Sequence, residues 1–129
     1  MKFIPCVFLG LAFLTTTALA QPAPSGIFYV HCEANGQAGT LDLTVDPARN
    51  TVDNVHASIT ATSIEWSVQK DDATGMAHVK HDYALDRIQG TLNDHMALWS
   101  TTGNNDASPG YFDTNYTCRK SDVPPAGKI

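Results

Sequence analysis

Apolar residues recur at every second position along most of this chain. Phe28, Val30 and Cys32 alternate with Tyr29, His31 and Glu33, and Leu41, Leu43 and Val45 alternate with Thr40, Asp42 and Thr44. The same period runs through Ala57, Ile59 and Ala61, through Ile64, Trp66 and Val68, and through Val79, His81, Tyr83 and Leu85. Leu92, Met96 and Leu98 share a side with Asn93, His95 and Trp99 opposite, and the last segment sets Phe112, Tyr116 and Cys118 on one face. Successive side chains of a strand point to opposite faces, so each segment reads as a strand with one buried face, and no stretch carries a helical period. Turn residues punctuate the pattern at 46–50 (DPARN), at 70–75 (KDDATG) and at Gln89-Gly90, and 101–110 is a long polar loop.

Seven to eight short strands, with turns every ~8–12 residues, predict an all-β domain. Its form is a single antiparallel small barrel or a two-sheet sandwich. The expected core is Phe28, Leu41, Leu43, Ile59, Ile64, Trp66, Tyr83, Leu85, Leu92 and Tyr116. Tyr29, His31, Trp99 and Tyr111 fall on outer faces or strand ends, where large side chains concentrate binding energy.

The first twenty residues follow a different rule. Met1-Lys2 is a positive start, 3–14 is apolar but too short to span a membrane, and Ala18-Leu19-Ala20 offers small residues before Gln21. This is the pattern of a secretory signal peptide of bacterial type. The chain then divides into a signal peptide at 1–20, a flexible lead-in at 21–26, a β domain at 27–120 and a flexible tail at 121–129. Periplasmic or secreted localisation is expected. Cys6 leaves with the signal, so Cys32 and Cys118 remain as one pair, each on the apolar face of its strand. In an exported chain they are expected to form a disulfide linking the first and last strands, closing a loop of 85 residues.

Charge narrows the partners. Without Lys2, seven basic side chains stand against thirteen acidic ones, a net charge of −6 with histidine neutral. An acidic chain with no basic face is not built for nucleic acid or an anionic membrane surface. No later apolar run reaches the ~20 residues of a transmembrane helix. Candidate chemistry is sparse. His78 and His81 are three apart, which on a strand turns them to opposite faces, away from a shared metal ion. Asp71, Asp72, Asp82 and Asp86 would suit a two-carboxylate hydrolase only if they converged, and they lie in a turn and on a solvent face. No nucleophile motif, metal-ligand spacing or cofactor fingerprint is present, so no catalytic residue, metal or cofactor is expected.

One set of motifs resembles a known group. A first-strand Cys (Cys32), Ile64-Glu65-Trp66, the segment Leu85-Asp86-Arg87-Ile88-Gln89-Gly90-Thr91-Leu92 and a final Tyr116-Thr117-Cys118 resemble a recurring group of small exported β-proteins of Gram-negative bacteria. The motifs are structural, and the group brings no activity with it. In size, compartment and end-to-end disulfide the chain is also similar to periplasmic lysozyme inhibitors, without their inhibitory loop signature. The leading expectation is a non-enzymatic binding domain of inhibitor or immunity type, with a protein or cell-envelope partner. The alternative is a carrier of a small apolar ligand in a barrel mouth, and a hydrolase ranks third. Tyr29, Trp99 and Tyr111, with the loop at 101–110, are the expected contact surface.

Overall fold

The computed structural model describes residues 26–101 and 109–125. The expected signal peptide, most of the lead-in, the centre of the long loop (102–108) and the end of the tail (126–129) lie outside them. The described chain is all β, with no helix. Its eight strands are β1 (Phe28–Ala34), β2 (Thr40–Asp46), β3 (Thr51–Val52), β4 (Val55–Ile59), β5 (Ser63–Asp71), β6 (Ala77–Asp86), β7 (Thr91–Ser100) and β8 (Gly110–Ser121). Each strand pairs antiparallel with the next, and β8 returns to β1, closing a barrel. Closure removes both free edges of the sheet.

Local chemistry sets the turns. At 46–50, the Asp46 carboxylate accepts the amides of Ala48 and Arg49, and Asn50 takes a positive φ of 51°. At 86–90 the design repeats: Asp86 accepts the amides of Ile88 and Gln89, and Gly90 has φ 68°. Gly90 is needed there for a second reason. A Cβ at this position would lie 2.8 Å from the carbonyl oxygen of Cys118, and the Cys118 amide donates to the Gly90 carbonyl at 2.7 Å. Arg87 ties the same turn to the neighbouring one: its amide donates to the Thr62 carbonyl at 2.9 Å, and its guanidinium donates to the Thr60 carbonyl. The Leu-Asp-Arg-x-x-Gly-x-Leu segment is therefore a capped hairpin buttressed against the closing strand.

The closing seam pairs Tyr29 with Ser121 through to Ala34 with Tyr116, and sets Cys32 directly opposite Cys118. The two are disulfide-bonded with Cα atoms 4.0 Å apart, and Cys32 is fully buried. Around it lie Val30, Leu43, Val45, Val52, Ala57, Ile64, Trp66, Leu85 and Leu92. Five expected core residues (Leu43, Ile64, Trp66, Leu85 and Leu92) are buried, and the other five (Phe28, Leu41, Ile59, Tyr83 and Tyr116) are half-buried against them. The difference follows from strand length: β3 has two residues, so the wall beside Leu41 and Tyr83 is low, while Phe28 and Ile59 sit at the other rim.

Unequal strands also give the barrel a projection. The last β1–β8 pair is Ala34 with Tyr116, so residues 110–115 of β8 run on past β1 and pair with β7. The ten-residue strands β6 and β7 run on with them.

Two substitutions test this account. Cys32→Ala is expected to lower unfolding free energy by about 2–5 kcal/mol, as loss of a bridge over a long loop does. Urea titration of oxidised wild type and variant measures it. Trp66→Ala, which empties the middle of the barrel, is expected to cost about 3–5 kcal/mol in the same assay. A loss under about 1 kcal/mol would mean that Trp66 is not packed in the interior.

Candidate functional site

The register divides the chemistry of β5–β8 between two faces. On the outer face, Asp71, His78 and Trp99 form a row across three strands. The His78 Nδ1 lies 2.6 Å from Asp71, and its ring stacks on Trp99 with centroids 5.2 Å apart. A second row runs Ser67, Asp82, His95 and Asp113. Ser67 donates to Asp82, Lys80 pairs with Asp82 at 3.1 Å, and His95 Nδ1 lies 2.9 Å from Asp113. The His95 ring stacks on Tyr111 at 5.3 Å.

Trp99 thus stays on the outer face, as the alternation requires, but stacking leaves it half-buried. Tyr111 next to it is 60% exposed. Phe112, Leu98 and Met76 are also exposed at this end, with Phe112 and Leu98 on the inner face of the projection. The four expected contact residues do not form one surface. Tyr29 is opposite Ser121, ten residues from Tyr111 along β8, which is about 33 Å. His31 is opposite Arg119 on the same remote part of the wall. Trp99 and Tyr111 are brought together at the projection, and Tyr29 and His31 are not.

The acids that invited a hydrolase reading are committed elsewhere. Asp72 accepts the amides of Met76 and Ala77 and the Thr74 hydroxyl, and these bonds, Thr74 first, hold its carboxyl below the usual range. Asp86 caps its turn. The bond from His78 lowers Asp71, and the bond from Ser67 lowers Asp82. His78 and His81 do face opposite ways. Among the described residues no three His, Cys, Asp or Glu side chains gather to hold a metal ion, and no helix is long and apolar enough to cross a membrane.

The inner face holds what alternation alone did not reveal. Asp94 is buried, between Leu92 and Met96 on the inward side of β7. His81 meets it with Nδ1 at 2.9 and 3.0 Å from the two carboxylate oxygens. The signal was present in the sequence as two titratable residues at inward positions of adjacent strands. Tyr83 stacks between His81 and Trp66, with centroids 5.5 and 4.8 Å away. Burial, then the charge of Asp94, pushes the Tyr83 phenol up to about 12 and also raises Tyr116. Above the low β3–β4 wall this column borders a cavity of about 440 Å³. Leu41, Leu43, Val52, Val55, Val68 and Lys70 complete its lining, with Asp42 and Asp53 at the rim.

His31 supplies a test on the remote wall. Its Nδ1 lies 2.6 Å from Asp42, and that bond, partly offset by desolvation, raises its pKa above 6.5. A raised folded-state pKa stabilises fully below the unfolded value, and this contribution is lost as pH rises through the folded one. His31 is therefore expected to titrate above 6.5 by NMR, and Asp42→Asn to bring its midpoint down. An unchanged midpoint in the variant would refute the pairing.

Comparison with protein-family models, with curated proteins and with solved structures finds no match to this chain.

Proposed function

We propose that this chain is an exported, non-enzymatic binding domain, acting in the periplasm or outside the cell on a protein or cell-envelope component. Its concrete form is an inhibitor or immunity-type protein. The observation that carries this reading is the projection of β6–β8. It leaves Tyr111 exposed beside Trp99 on its outer face and Leu98 and Phe112 exposed on its inner face, with Met76 exposed at the same end. Exposed apolar patches rimmed by polar groups mark contact sites, and aromatic anchors supply most of the affinity in such contacts. The rows Asp71–His78–Trp99 and His95–Tyr111 hold two of those aromatics against the sheet. Their side chains then lose little freedom when a partner arrives, which lowers the cost of binding. The disulfide suits an oxidising compartment.

The paired substitution Trp99→Ala with Tyr111→Ala tests the reading. Both side chains lie outside the core, so unfolding free energy is expected to fall by no more than about 1–2 kcal/mol. Immobilised wild-type domain is expected to retain an envelope or secreted protein from a periplasmic extract, and the double variant to lose it. Capture of the same proteins by both, or a variant that no longer folds, would contradict the reading.

A further inference from the structure

The interior cavity carries an inference separate from the outer contact surface. It is bounded by the aliphatic side chains of Leu41, Leu43, Val55 and Val68 and by the Trp66–Tyr83–His81 column. At about 440 Å³ it falls in the size range of small-molecule sites, roughly 300–1,000 Å³, and barrel mouths are a common place for them. An eight-stranded barrel can fill its interior with side chains or keep room for one small ligand. Here the two-residue β3 lowers the wall, and the room remains.

The polar groups on the lining differ in what they already hold. Asp42 is bonded to His31 at 2.6 Å, Asp53 accepts the Thr44 amide at 2.9 Å, and Asp94 lies outside the lining, held by His81. Lys70 is the cation of the lining and has no hydrogen-bond or ion-pair partner among the described residues. The Tyr83 hydroxyl and His81 Nε2 are likewise without partners among those residues. No buried side-chain nitrogen or oxygen there is left unsatisfied, so these groups open onto accessible space. One free ammonium and a hydroxyl donor stand over an apolar floor. That arrangement complements an anionic head on an apolar body, since a carboxylate accepts from each donor while the body removes apolar wall from water.

We propose that the barrel mouth binds a small apolar monocarboxylate, its carboxylate on Lys70 and its body along Leu41, Val55, Val68 and Trp66. The probe is decanoate, with decanol as its uncharged counterpart, added to the oxidised domain in a Trp99→Phe background so that Trp66 alone reports. Decanoate is expected to change Trp66 emission saturably. Lys70→Met, at an exposed position that leaves the fold intact, is expected to weaken decanoate at least about tenfold, the worth of one good ion pair, while decanol is unaffected. Val55→Phe, which fills the cavity, is expected to abolish both. Circular dichroism confirms that each variant is folded, and amide shifts of Leu41, Val55 and Val68 on titrating the unfilled domain locate the ligand independently. The proposal is overturned if decanoate leaves Trp66 emission and these amide shifts unchanged up to its solubility limit. It is overturned equally if Lys70→Met binds decanoate as tightly as wild type, or if a folded Val55→Phe still binds it.

Discussion

Everything else in this barrel depends on the seam between β1 and β8. The other seven pairings are local, each strand following the last with at most nine residues between them. The seam joins residues 86 apart in sequence, and without it the sheet would be an open meander with two free edges. The entropy of closing so long a loop grows only logarithmically with length, yet it must be met before any seam contact forms. Bonding Cys32 to Cys118 removes much of that cost from the unfolded chain. The bridge stands inside the ladder, between directly opposed residues, so it fixes register as well as closure. A slip of one residue would turn the inward set of one strand, Val30 and Cys32 of β1, to the outside. The Gly90 turn packs against the Cys118 carbonyl, and thereby links the capped 86–90 hairpin to the same point.

From that fixed ring the two candidate surfaces follow as matters of strand length. Where β6–β8 outrun β1, inward residues such as Leu98 and Phe112 lose the opposite wall and stay exposed, while Trp99 and Tyr111 lean on histidines outside. Where β3 falls short, the interior opens beside Trp66 and Tyr83. The buried Asp94 sits close to this opening. His81 Nδ1 meets both of its carboxylate oxygens, and that contact fixes one end of the aromatic column. Four of the chain's five histidines place Nδ1 on an aspartate, one inside and three outside. Each ring is thereby fixed in orientation and tautomer.

Much of this was legible in the sequence. Period-two alternation placed Cys32 and Cys118 on inward faces, set His78 and His81 on opposite ones, and located the turns at 46–50 and 89–90. Alternation reports which way a side chain points, not how high its neighbours stand. For that reason the half-burial of Tyr83 and Tyr116 and the cavity beside Leu41 had no sequence signal. Grouping Tyr29 with Trp99 and Tyr111 failed as one surface for a related reason. All three point outward, but position along a barrel depends on stagger between strands, which only the register supplies. Asp94 was hidden by the rule itself, since a charge at an inward position makes sense only once His81 is seen on the adjacent strand.

The central claim is that the seam is an integral part of one cooperative barrel. Native-state hydrogen exchange of the oxidised domain tests it most directly, because it reads the opening free energy of each amide. The account predicts that the paired amides of β1 and β8 exchange only through global unfolding, with the same free energy as those of β5 and β6. On reduction of the disulfide all of them should lose protection by the same amount. Seam amides that open at a much lower free energy than the β5–β6 amides, while the disulfide is intact, would contradict it.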